Sequence, residues 1–177
     1  AQLRAQGAIF TSETDTEVVV HLLAHAYDQA DPASYTGEVA QLSGTDEAVA
    51  RRLVVAMREV TAKLEGTFTL LALSTESPNV IVAARRSSPL VIGLGEGENF
   101  LSSDVLAFIE HTNRAVEIGQ DQLVVVSASA VTVIGADGHP LPLKDYEVDF
   151  SADRATKGGW PTFMEKEIHE QPRGVAD

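Results

Sequence analysis

Residues Asn79–Asp104 read NVIVAARRSSPLVIGLGEGENFLSSD. Two apolar runs, Val80–Ala84 and Leu90–Leu94, flank a basic-polar turn, Arg85-Arg86-Ser87-Ser88-Pro89. A third short run, Phe100–Ser102, follows a glycine-bearing loop. Runs rich in Val and Ile, bounded by Gly, Pro and Ser, read as strands joined by tight connections. Connections this short suit antiparallel neighbours, because parallel strands need a long crossover. The spacing therefore predicts an antiparallel meander inside a sheet.

Composition sets the frame around that stretch. At 177 residues the chain has the length of one domain, enough for a real core. Hydrophobic residues make up 44%, which places it among globular chains and not disordered ones. No run approaches the roughly 18 apolar residues of a membrane span, and Ala1–Ala5 lacks the pattern of a signal peptide. Without cysteine there is no disulfide, thiolate zinc site or cysteine nucleophile, which fits a cytoplasmic protein. The net charge of −13 repels phosphate backbones and argues against nucleic-acid binding; its plain role is solubility.

Leu3–Gly7 reads as the tail of an element, and Ala8–Thr11 as a short strand. In Ser12–Glu17, Thr14 and Glu17 have capping-box spacing ahead of a helix from about Asp15 to Asp28. Val19, Leu22, Leu23 and Ala26 form its core face. Ala30–Thr45, with Pro32, Gly37 and Gly44, reads as a surface excursion. A second helix, Asp46 to Leu64, carries Val49, Leu53, Ala56, Val60 and Leu64 at helical spacing and stops at Gly66. Strands follow at Phe68–Leu73, in the opening stretch, at Asp121–Val126 and at Ala130–Ile134. Ser102 or Ser103 caps a short helix over Asp104–Ile109, and Asp137-Gly138 makes a tight turn. Trp160, Met164 and Ile168 recur every four residues in a last helix that Pro172 and Gly174 end. Helices layered on antiparallel sheet, an α+β arrangement, result.

Local chemistry names few groups. Asp15 stands in the first helical turn, where a carboxylate complements the macrodipole and also suits a binding site. His21 and His25 share a helix face, but Leu22 stands where a zinc protease has Glu, and no third ligand is evident, so no metal site is expected. Gly93–Gly97 lacks the helix and the Lys-Ser/Thr of a phosphate loop and reads as a strand connection. Arg85-Arg86 reads as solvated or ion-paired surface. Ser87, Ser88, Ser102 and Ser103 have no histidine at triad spacing. The Trp160-Met164-Ile168 stripe reads as packing.

Three segments carry a family resemblance. Ser12-Glu13-Thr14-Asp15-Thr16-Glu17 resembles the SETDTE segment of the glutaminase domain of the isomerising glutamine–fructose-6-phosphate aminotransferases, also called glucosamine-6-phosphate synthases. Ala83–Gly95 is similar to their AAR-x-SPLVIGLG segment, with Gly97–Phe100 and Ser103-Asp104 in register. Phe163-Met164, Lys166–Ile168 and Glu170–Pro172 resemble M-x-KEI-x-EQP, where the glutaminase domain leaves for the sugar-isomerase half. The resemblance implies a class II amidotransferase of the N-terminal-nucleophile type, with an αββα sandwich of two antiparallel sheets between helix layers. It also implies an activity: glutamine is hydrolysed to glutamate, and ammonia passes to fructose 6-phosphate, giving glucosamine 6-phosphate in amino-sugar biosynthesis. Asp15 matches the family's aspartate that holds the α-amino group of glutamine, a role a carboxylate fills by a charge-assisted hydrogen bond.

The departures set further expectations. The family's N-terminal cysteine nucleophile, its Arg-Trp-Ala-Thr-His segment and its oxyanion-hole Asn-Gly segment have no counterpart here, so the resemblance places them before Ala1. Residues 1–150 are thus expected to be the rear part of the glutaminase domain, incomplete at its N-terminal side. Residues 151–177 are expected to be a linker and helix leading to a sugar-isomerase domain. No catalytic residue lies in the chain, no cofactor is implied, and the isolated chain is expected to be inactive. The expected partners are glutamine, the missing front of the domain, the sugar-isomerase domain, and further copies of the full-length enzyme. The alternative is a degenerate glutaminase-like module that binds without catalysis.

Overall fold

A computed structural model describes residues 2–5, 7–39, 41–149 and 158–174. Its elements run α1 (Gln2–Ala5), α2 (Asp15–Gln29), α3 (Gly44–Lys63), nine strands and a final helix α4 (Phe163–Gly174). Strands β1 (Phe68–Ser74), β2 (Ser77–Arg86), β6 (Leu123–Val126), β7 (Val131–Ile134) and β8 (Pro140–Leu141) form one antiparallel sheet in the order β1-β2-β6-β7-β8. Strands β4 (Asn99–Ser102), β3 (Val91–Leu94), β5 (Arg114–Glu117) and β9 (Tyr146–Glu147) form a second, in the order β4-β3-β5-β9. The α+β class with two antiparallel sheets is therefore as expected.

Alternation along the strands builds the layers. In β2, Val80, Val82 and Ala84 face α3, while Ala83 faces the second sheet. In β6, Leu123 and Val125 face the helix, while Val124 and Val126 face the second sheet. Successive side chains point to opposite faces, so a strand buried on both must be apolar throughout, as Leu123–Val126 is. Leu90, Ile92, Val116 and Ile118 answer from the second sheet. Helix α3 buries Val49, Ala50, Leu53, Val54, Ala56, Met57 and Val60. Each fully buried side chain of the Val or Leu type contributes about 1.5–3 kcal/mol. Helix α2 lies on α3 through Ala26, Val19, Leu22 and Leu23.

The opening stretch departs from the single-sheet meander. Strand β2 belongs to the five-stranded sheet, whereas β3 and β4 form a hairpin in the other. The connection at Ser87–Pro89 crosses between sheets, with Ser87 at φ 60 and Thr69 Oγ1 donating to the Pro89 carbonyl at 3.3 Å. Its length equals that of a hairpin loop, which is why spacing alone assigns it to one. Gly93 in β3 has a packing reason: an added Cβ would lie 2.6 Å from the Phe108 ring. That ring is buried against Val91, Ala115 and Phe100 and covers the outer face of the second sheet.

Other boundaries also shift. Ala8–Thr11 is loop, because no strand among the described residues pairs with it and the amides of Ala8 and Thr11 bond to Leu3 and Glu17. Ala30–Thr45 is no mere surface excursion: Tyr35 and Val39 are buried, and Arg51 binds the carbonyls of Tyr35 and Gly37 at 2.6 and 3.0 Å while pairing with Glu47. The Asp104–Ile109 helix is one 3-10 turn, Val105–Ala107, capped by Asp104 and not by a serine. Helix α4 runs through Pro172 to Gly174. Its Met164 and Ile168 are exposed, so among the described residues these two members of the stripe are not core, while Trp160 stacks on His169 at 4.3 Å. The expected boundary at residue 151 lies outside the described residues.

Candidate functional site

The SETDTE segment forms the turn that enters α2. Thr14 caps the helix by accepting from the Thr16 amide at 3.2 Å. The capping box predicts the Glu17 amide as that donor; the bond falls one residue earlier. Glu17, for its part, reaches past Thr14. Its Oε1 accepts from the amide and hydroxyl of Thr11 at 2.8 and 3.0 Å. Its Oε2 accepts from the Ser12 amide at 2.8 Å and from the Ser12 hydroxyl. The Ser12 hydroxyl first, then the Thr11 amide, pull the Glu17 carboxyl down from its ordinary 4.5 to about 2. His21, one turn on, places Nε2 3.1 Å from the Ile9 carbonyl and meets the Phe10 ring edge-on.

Asp15 is the first residue of α2 and is exposed. Among the described residues, its carboxylate engages only the Thr14 hydroxyl, at 3.5 Å. It thus keeps most of its hydrogen-bonding capacity at the positive end of a fifteen-residue helix. Beside this turn lies an open cleft of about 600 Å³. Its apolar wall is Leu3, Phe10, Val18 and Leu22, and its polar rim is Arg4, Ser12, Glu13 and Thr14. Asp15 adjoins the rim and is not part of the wall.

The other candidates have structural partners. His25 is exposed and apart from the His21 contact, and no group of three metal-ligating side chains occurs among the described residues. Arg86 donates to the carbonyls of Leu64 and Thr61 at 2.6 and 3.3 Å and to Asp121 at 2.7 Å, so it terminates α3 instead of facing solvent. Arg85 donates to the Ile118 carbonyl at 2.7 Å. Gly93–Gly97 bends the β3–β4 hairpin, with Gly97 at φ 74. The role of Glu17 escapes a reading by spacing, because its bonds span five and six residues and match no capping rule. The closest signal is the presence of Thr11 and Ser12 directly before the capped turn.

Comparison with known proteins places this turn in context. The chain is 48% identical over 176 residues, 99% of its length, to the glutamine–fructose-6-phosphate aminotransferase (isomerizing) of Leifsonia xyli subsp. xyli, covering 25% of that protein. It is 49% identical over its full length to the enzyme of the same name from Streptomyces coelicolor, covering 26% of it. With that of Corynebacterium glutamicum the identity is 45%, again over the full chain and 26% of the relative. No protein-family profile matches the chain. The chain thus spans about a quarter of the length of the curated relatives it matches, and over its whole length it is homologous to one segment of them. The resemblance carried by the three motifs is borne out.

Proposed function

We propose that this chain works as the rear part of the glutaminase domain of a glutamine–fructose-6-phosphate aminotransferase. The observation that carries the reading is homology along the whole chain at 45–49% identity to relatives of that name. In this reading the parent protein hydrolyses glutamine to glutamate. It delivers the ammonia to fructose 6-phosphate, and glucosamine 6-phosphate results. Residues 1–150 supply the rear of the αββα sandwich, and residues 151–177 lead to the sugar-isomerase domain. Asp15 receives the α-ammonium of glutamine, supported by the matching motif and by a carboxylate left almost free of protein partners. The nucleophile comes from outside these residues, since the chain contains no cysteine. The setting is cytoplasmic; among the described residues no helix is long and apolar enough to cross a membrane.

The test uses the complete gene product and the 177-residue chain side by side. The complete product is expected to form glucosamine 6-phosphate from glutamine and fructose 6-phosphate, and the chain alone to release no glutamate. Glutamate release by the chain alone would refute the division of labour; no amino sugar from the complete product would refute the function. Asp15→Asn in the complete product is expected to raise KM for glutamine about tenfold or more, the scale of a lost charge-assisted bond. An unchanged KM would remove Asp15 from the site.

The edge of the five-stranded sheet supports the same reading. Among the described residues strand β1 is paired on one side only, and its FTLLALS sequence carries no charge or proline to discourage further pairing. Phe68, Leu70 and Ala72 pack toward α3, which leaves Leu71 and Leu73 on the opposite face, 51% and 58% exposed. In the parent protein, strands of the front of the domain cover this edge. Alone, the chain is expected to self-associate in light scattering as concentration rises. Leu71→Lys with Leu73→Lys is expected to return it to a monomer. A monodisperse monomer without those substitutions would count against an uncovered edge.

A further inference from the structure

The Glu17 carboxylate is saturated in a way that helix capping does not require. Thr14 already serves the first turn of α2 by accepting from Thr16. Glu17 instead collects both donors of Thr11 on one oxygen and both donors of Ser12 on the other. The bonds close a ring of chain from Thr11 to Glu17, and Asp15 lies inside that ring. We propose that Glu17 is a positioning residue of the glutamine site, a latch that fixes the Ser12–Thr14 turn to α2 and so fixes where Asp15 meets the substrate ammonium. This rests on the assignment of Asp15 made above.

Three features support the latch. Ala8–Thr11 has no ladder partner among the described residues, so the approach to the turn is held by side chains. The groups around Glu17 are compatible with its charge. His21 Nε2 is 4.0 Å from Oε1 and holds the Ile9 carbonyl, and Arg4 lies over the Phe10 ring at 5.4 Å. The carboxyl also titrates far from the working range. Its folded value of about 2 lies below the ordinary 4.5, so the latch is complete above that ordinary value and opens only as pH falls toward about 2. Positioning matters here because a charge-assisted hydrogen bond to the substrate ammonium weakens steeply once its distance or angle departs from the normal range.

The experiment compares Glu17→Gln, Glu17→Asp and Asp15→Asn in the complete gene product. Glutamine replaces one accepting oxygen with an amide nitrogen that can only donate, and aspartate keeps the charge but is one methylene too short. Both Glu17 variants are expected to raise KM for glutamine about tenfold with kcat within about twofold, the pattern of lost ground-state binding. In the 177-residue chain, Glu17→Gln is expected to speed hydrogen exchange of the Thr11 and Ser12 amides. If Asp15→Asn raises KM while neither Glu17 variant does, the proposal is overturned, even where the variants melt earlier. If Asp15→Asn itself has no effect, the Asp15 reading falls, and the latch with it. Should the Glu17 variants not fold, Ser12→Ala removes one hydroxyl donor and leaves the backbone bonds. It is expected to raise KM about threefold, and an unchanged KM overturns the latch.

Discussion

Replacing Phe108 by alanine is expected to lower stability by about 3–5 kcal/mol, the usual cost of removing a buried aromatic ring. Phe108 is 1% exposed and packs against Val91, Ala115, Phe100, Val105 and Val148. The glycine at position 93 lets the ring approach the β3 backbone more closely than any side chain would permit. Phe100 stacks at 6.1 Å and cannot fill the vacated space while it pairs with Gly93 across the hairpin. Phe108→Leu keeps most of the apolar volume and is expected to cost about half as much. Urea denaturation of the two variants checks this. Equal losses would show that the volume of the ring is not what holds the outer face.

Arg86→Met is expected to cost about 2–4 kcal/mol, because it strips hydrogen bonds from the end of α3. The guanidinium answers the carbonyls of Leu64 and Thr61, which the helix leaves without amide partners at its end. It also lies over the Phe68 ring at 5.1 Å, so methionine retains the stem packing and isolates the polar loss. The ion pair with Asp121 contributes less, since the two side chains are 29% and 41% exposed and water screens them. A double-mutant cycle with Asp121→Asn is therefore expected to return a coupling below about 1 kcal/mol. A coupling as large as the whole Arg86 loss would mean that the ion pair, and not the carbonyl grip, ties β2 to the helix.

How far such details were legible in the residues depends on range. The faces of α3 and β6 follow from their own periodicity, and both sit as Leu53, Val60 and Leu123–Val126 suggest. Strand β5 is not visible in its own residues, because Arg114 and Glu117 bracket only Ala115 and Val116; its pairing with β3 makes it a strand. Strands β8 and β9 have two residues each and carry no period. The change of sheet at Ser87–Pro89 depends on what lies above and below the chain, which a linear reading of Val80–Leu94 does not contain. At the candidate site, Asp15 stands out through the family motif. Glu17 does not, because its partners precede it by five and six residues in a loop with no regular geometry.

The crossing at Ser87–Pro89 also sets the order in which the chain can assemble. Strand β2 must pair with β6, joining Ala84 to Leu123, yet β3, β4 and β5 all lie between them. Closing that long loop without internal structure carries an entropic penalty before any pairing offsets it. The β3–β4 hairpin, whose partners are near neighbours, shortens the effective loop and can form first. Strands β3, β4 and β5 are thus nested in sequence between β2 and β6, while β9 joins their sheet from beyond β8. The β3–β4 hairpin is therefore expected to form before β2 meets β6, so that destabilising substitutions in the hairpin slow folding more than those at the β2–β6 seam.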